Sequence, residues 1–315
     1  MIDHQDRNLI LLGPQPQYLT LKRVLSKLPR HGPIGMITAG WETDEREDHA
    51  LRQAIDGEVI NLNLFQRTEH LFQKDPELIG RLQDRQDELR HVRDVYNERL
   101  KQLCKSARRL FHRNDPLIDF HEERQQAVDM IRQLDRQHFQ HATRIIEKYE
   151  LELQIGDRPL VREHRDQLAD ILNGCGILLI SGGHVAIIVN RLRIFGIFER
   201  TPDIPIIAWS GGAMALAEQI VFFHDSLPQG LNDAEVLRPG MGVYQSILPL
   251  PDARHRLKLD DPVRVELFSR RFQDFQCVVF DQNTLLQRHQ RQWRDYTDGG
   301  AVGMGCEGTL VHFSV

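Results

Sequence analysis

Short apolar runs ending in glycine or proline alternate with stretches of helical period over the first sixty or so residues. Asn8-Leu-Ile-Leu-Leu-Gly13 has the form of a buried strand stopping at a Gly-Pro turn. Leu19, Leu21, Val24, Leu25 and Leu28 follow with a helical repeat. Ile34–Ala39 predicts a second strand, Ala50, Leu51, Ala54 and Ile55 a second helix, and Val59–Leu64 a third strand. Strands and helices in alternation describe an α/β layer.

The period then changes. From about Asp75 to Ile155 glycine nearly disappears, charges multiply, and apolar residues recur at spacings of three and four. One stripe runs through Leu78, Leu82, Leu89, Val92, Tyr96, Leu103, Ala107 and Leu110. A second runs through Leu117, Phe120, Ala127, Ile131, Leu134, His138, Ala142 and Ile145. Asn114-Asp115-Pro116 separates them, with Pro116 placed to open the second helix. Two such helices with a short break fold back as an antiparallel hairpin, each arm about 50–60 Å long at ~1.5 Å per residue. Residues 75–155 therefore read as an inserted hairpin projecting from an α/β body made of residues 1–74 and 156–315. A long amphipathic pair buries its stripe against something, so a homo-oligomer through the hairpin, or docking of a partner, is expected.

Alternation resumes after Gly156-Asp157-Arg158-Pro159. Leu168, Ile171 and Leu172 mark a helix, Gly176–Ser181 a strand, the residues after Gly183 a helix, and Ile204–Trp209 another strand. Ala213 to Val221 reads as helix-prone, Gly242–Leu248 as a strand, Pro262–Arg271 as a helix and Gln276–Phe280 as a strand. Glycines at 299–300 and 303–308 suggest turns between short edge strands.

Composition narrows the partners. The chain has 315 residues, 41% hydrophobic and 27% charged, with a net charge of -5. No global basic field points to nucleic acid. The longest apolar stretch, Ile177–Val189, is interrupted by Ser-Gly-Gly-His and is too broken to span a bilayer. The N-terminus lacks the basic-then-apolar pattern of a secretory leader, and four cysteines at 104, 175, 277 and 306 have no metal or redox spacing. A cytoplasmic protein is expected. His138 and His141, with His121, Glu122 and Glu123 earlier on the same arm, are the nearest thing to a metal cluster. No Glu-x-x-His pair occurs on both arms, so neither a metal nor another cofactor is expected.

Candidate chemistry sits in Ile206-Ile-Ala-Trp-Ser-Gly-Gly-Ala-Met-Ala215, which passes from buried strand to helix with Ser210 at the junction. A serine on such a turn projects from the C-terminal edge of the sheet in strained backbone geometry. Small residues two before and two after it, Ala208 and Gly212, let the strand and helix backbones approach. The Gly211 amide then points to where an oxyanion would form. An ordinary strand–helix turn with a capping serine has the same local look.

The stretch Ile180-Ser-Gly-Gly-His184, an apolar helix through Leu192, and Ala208-Trp-Ser-Gly-Gly-Ala213 together resemble the dipeptidase E and cyanophycinase group of serine peptidases. The match is best from about Ile177 to Asp225, weaker over the rest of the body, and absent from the hairpin. The resemblance implies a flavodoxin-like, class I glutamine amidotransferase-like three-layer α/β sandwich. It implies a serine hydrolase acting on a small peptide or amide bond, with Ser210 as nucleophile. Gly182 and Gly183 match the loop that completes the oxyanion hole with Gly211. His184 stands where the family commonly has Asn and reads as a capping residue. Asp225, closing Val221-Phe-Phe-His-Asp225, matches the triad acid. Ser rather than Cys at the elbow argues against a glutaminase.

The base departs from the family. If Pro251 aligns with the family proline, Asp252 holds the histidine position and the nearest imidazole is His255. His255 is the candidate base, His224 a second. The alternative is a degenerate relative that binds ligand or acts as a scaffold. Gln15, Trp41 and Glu42 follow strand ends at the same sheet edge, either lining the cleft or serving as plain loop residues.

Overall fold

A computed structural model describes residues 8–29, 31–224 and 233–313. Short runs, four of them of four apolar residues covered on both faces, become the strands of the main parallel layer. They are β1 (Leu9–Leu12), β2 (Ile34–Ile37), β3 (Val59–Asn61), β4 (Ile177–Ile180) and β5 (Ile206–Trp209), and β1, β2, β4 and β5 are buried at every position. Helices α1 (Leu19–Leu25), α2 (His49–Ala54) and α3 (Leu64–Lys74) accompany the first three strands. The long helices α4 (Pro76–Phe111) and α5 (His121–Leu153) follow, then α6 (Pro159–Gly174), α7 (Val185–Ile194), α8 (Ile197–Arg200) and α9 (Gly211–Leu216). The rest of the chain supplies β6 (Gln219–Phe222), β7 (Glu235–Pro239), β8 (Ile247–Pro251), α10 (Ala253–Arg256), α11 (Pro262–Arg271) and β9 (Gln276–Phe280). It ends with β10 (Leu285–His289), β11 (Gln292–Asp295), β12 (Val302–Met304) and β13 (Leu310–His312).

The result is a mixed α/β protein around a mostly parallel sheet. Among the described residues that sheet has seven strands in the order β11-β10-β1-β5-β4-β2-β3. The pairs from β1 through β3 are parallel, and β10 and β11 add an antiparallel edge. Leu12 pairs with Trp209, Ala208 with Ile180, and Ile180 with Ile37, so β1, β5, β4 and β2 all finish along one edge. Alternate residues feed two cores. Leu9, Leu11, Leu178, Ile180, Ile206 and Ala208 pack on one face, and Ile10, Leu12, Met36, Leu179, Ile207 and Trp209 pack with α1 and Leu51 on the other. A smaller sheet, β13-β12-β9-β8, and the β6–β7 pair complete the fold.

Several boundaries differ from the sequence pattern, each for a local reason. The third strand stops at Asn61, and Leu64 instead opens α3, where both Glu45 carboxylate oxygens accept the Phe65 and Gln66 amides at 2.9 Å. The helix-prone run from Ala213 stops at Leu216 because its last carbonyls are taken. Met241, Val243 and Gly242 amides donate to Ala215, Leu216 and Ala217, and Gln219–Phe222 leaves as a strand. That same use of residues 241–243 delays the following strand to Ile247. Pro116 lies in a turn, where the Asp115 carboxylate accepts the Leu117 amide, and α5 opens only at His121.

The α4 and α5 pair lies along the body rather than projecting from it. Its apolar stripe packs on itself and on β7 and α11. The fastening is a buried polar knot. Arg271 of α11 grips the Asp135 carboxylate of α5 through Nε at 2.6 Å and Nη2 at 2.8 Å, and donates through Nη1 to the Ala234 carbonyl at 2.6 Å. Tyr96 of α4 donates to the same carboxylate at 2.8 Å and accepts the Val236 amide at 3.0 Å. Both charges are almost wholly out of water, so each depends on the other. Asp135→Ala, which strands the Arg271 charge, is expected to cost about 3–5 kcal/mol in urea unfolding. The double variant Asp135→Leu/Arg271→Met is expected to lose less than the single one.

Candidate active site

The strand β5 delivers Ser210 to the sheet edge with φ 49° and ψ -120°, a backbone that L residues adopt only when their surroundings impose it. Here the surroundings are other backbones. A Cβ on Gly182 would stand 2.9 Å from Ser210 Cβ, and one on Gly211 would stand 2.4 Å from the Gly183 carbonyl oxygen. At Gly212 it would meet the Ile180 and Ser181 carbonyl oxygens, both at 2.5 Å. Gly183, at φ +114°, would place it 2.3 Å from the Gly40 carbonyl oxygen. The loops after β2, β4 and β5 are thus in mutual backbone contact, tied further by the His184 amide donating to Gly40 at 2.8 Å. The Ser210 amide reaches back to the Leu12 carbonyl of β1 at 3.3 Å. Among the described residues, the Gly183 and Gly211 amides donate to no backbone acceptor.

Ser210, Gly182, Gly183, Gly211 and His184 share one cleft of about 810 Å³. The segments that follow β6 and β8 bring His224, Asp252 and Arg256 to it, and Trp41, Tyr18 and Gln15 add walls. His224 is half-buried. Burial, then the nearby Arg256 cation, holds its imidazole below the ordinary pKa against an opposing pull from Glu235. Neutral imidazole is the form that accepts a proton, so His224 suits general-base work at neutral pH.

The other predicted residues fall as follows. His255 accompanies Asp252, whose carboxylate lies 2.6 Å from its Nδ1, but the ring is 82% exposed and is not among the residues lining the cleft. Asp252 takes a left-handed backbone at φ 59° that opens α10 and sends His255 outward. Asp225 lies outside the described residues. His184 caps α7, its Nδ1 accepting the Ile187 amide at 3.4 Å. Gln15 is buried, and its carboxamide is used up on the Gly13, Pro14 and Gln282 carbonyls and the Leu21 amide. Glu42 has the same unusual backbone as Ser210, at φ 59° and ψ -123°, yet is not among the residues lining the cleft. Arg256 and Tyr18 were not foreseen. The Arg-His-Arg run after Pro251 carried a signal for the first, but it is the left-handed turn at Asp252 opening α10 that leaves Arg256, and not Arg254 or His255, lining the cleft.

No cluster of three or more metal-ligating side chains occurs among the described residues, nor any helix long and apolar enough to cross a membrane. No family model and no curated protein matches the sequence. Among solved structures, the chain is similar to a peptidase from an acI-B1 Actinobacterium, with 12% identity, 99% of this chain and 98% of that one covered, and a TM-score of 0.49. It is also similar to a protein assigned as a peptidase E from Listeria monocytogenes EGD-e, with 9% identity, 93% and 99% covered, and a TM-score of 0.44. At TM-scores below 0.5 neither likeness bears on activity, and the chemistry of the cleft stands on its own residues.

Gly183→Ala tests the contact between the loops. It adds a Cβ into the Gly40 backbone at a positive φ, so it is expected to lower the melting temperature and to change the environment of Trp209 and Trp41 in near-UV circular dichroism. An unchanged melting temperature would mean that the loops do not touch as described.

Proposed function

We propose that the protein is a serine hydrolase acting on a small peptide or amide bond, in the manner of the peptidase E and cyanophycinase group. The observation that carries this is Ser210, held on a strand-to-helix turn in forced backbone geometry beside two glycine amides that have no backbone acceptor among the described residues. In this reading the Ser210 hydroxyl loses its proton to an imidazole as Oγ adds to the carbonyl carbon. The Gly211 and Gly183 amides donate to the oxyanion. Collapse expels the amine, which takes the proton back, and water then releases the acyl group by the same route. His224 serves as the base because it lines the cleft with Ser210. Asp225 is the orienting acid in this reading, on its sequence position alone. A second reading assigns the base to His255, favoured by its hydrogen bond to Asp252, the pairing that orients a catalytic imidazole.

A fluorophosphonate probe tests the nucleophile: wild type is expected to label, and Ser210→Ala is not. Folded wild-type protein that fails to label would instead support a degenerate, ligand-binding relative. His224→Gln is expected to slow labelling by about 10²–10⁴-fold and His255→Gln to leave it nearly unchanged; the reverse outcome assigns the base to His255. The labelling rate is expected to fall on acidification, with a midpoint below the ordinary imidazole value of about 6.5. Arg256→Gln removes a cation that opposes imidazolium, so the midpoint should move to higher pH.

A further inference from the structure

A second cavity, of about 460 Å³, opens where the base of the α4–α5 pair meets α6 and α7. Arg85, Arg165, Arg193 and Asn190 line it, together with Glu150, Asp157 and Glu199. Two of these cations are answered: Arg193 pairs with Glu150 at 3.0 Å and Arg165 with Glu199 at 3.3 Å. Arg85 is not. It is only 6% exposed and has no ion pair among the described residues; its one hydrogen bond partner is the Asn190 side-chain oxygen at 3.4 Å. Its Nε has no partner among the described residues. Arg238, 5% exposed, reaches the same Asn190 oxygen at 3.3 Å and the Ala186 carbonyl at 2.6 Å, again with no carboxylate.

Two buried guanidiniums therefore share one neutral carbonyl oxygen beside a cavity. Arginine stays protonated in proteins, and with Glu150 and Glu199 paired to Arg193 and Arg165, Arg85 and Arg238 have no hydrogen-bonded carboxylate among the described residues. Burial lowers the pKa of Arg85 against an opposing pull from Glu150, and burial together with Arg85 and Arg193 pulls Arg238 down to about 9. A carboxylate would answer one of the two charges. A phosphate group in its dianionic form, the main form of a phosphomonoester near neutral pH, answers both.

We propose that this cavity binds a phosphate group, either free or carried as a phosphomonoester by a small molecule, with Arg85 and Arg193 contacting it and Arg238 supporting it through Asn190. The site is separate from the Ser210 cleft, although α7 borders both: Val185 lines the cleft and Asn190 and Arg193 line the second cavity.

Isothermal titration calorimetry on the full chain tests this with inorganic phosphate and with glycerol 3-phosphate, each against sodium chloride at matched ionic strength. Saturable binding of either phosphate species beyond the chloride control is expected, weakened at least tenfold in Arg85→Met. Arg193→Gln, a less buried position, provides the same readout if Arg85→Met does not fold. Arg256→Gln, in the other cleft, is expected to keep the affinity. Tighter binding of the ester assigns a phosphomonoester; equal binding assigns the free anion. Absence of saturable binding, affinity unchanged in Arg193→Gln, or affinity lost in Arg256→Gln would overturn the proposal.

Discussion

Everything at the candidate site depends on close approach of peptide backbones at the C-terminal edge of the sheet. Gly40, Gly182, Gly183, Gly211 and Gly212 lie where an added Cβ would meet another chain segment at 2.3–2.9 Å. Strands β2, β4 and β5 end together because their register is parallel and unbroken. Their three loops are therefore forced into one small volume, and only residues without side chains fit it. The forced backbone of Ser210 is a consequence: with the turns on either side fixed, the serine takes the conformation that remains. The same crowding leaves the Gly183 and Gly211 amides close together and, among the described residues, without a backbone acceptor.

The rest of the molecule keeps that edge in place. The β6–β7 pair and β8 carry His224 and Asp252 to the cleft, and β7 is held by the Tyr96–Asp135–Arg271 knot. The long helices thus brace the segment that carries the candidate base. Much of their apolar stripe is buried within the chain.

How far the sequence could be read follows from the range of the interactions. The strand-to-helix turn at Ser210 was legible because it needs a buried run, a polar junction and small residues at fixed offsets, all within Ile206–Ala213. The stripes of α4 and α5 were legible for the same local reason. What covers them was not: Tyr96 meets Val236 and Asp135 meets Arg271 across 140 and 136 residues. Helix-forming residues after Ala213 gave no warning that residues 241–243 would claim the last carbonyls. The direction of His255 depends on the left-handed backbone of Asp252, which an aspartate permits but does not announce.

The central claim is that crowded glycine backbones aim Ser210 at two free amides. A crystal structure of the protein after reaction with a fluorophosphonate tests it most directly. The account predicts a phosphonyl group bonded to Ser210 Oγ, with one of its oxygens about 3 Å from both the Gly211 and Gly183 nitrogens. An adduct whose oxygens turn away from both amides, or attachment at a residue other than Ser210, would contradict it.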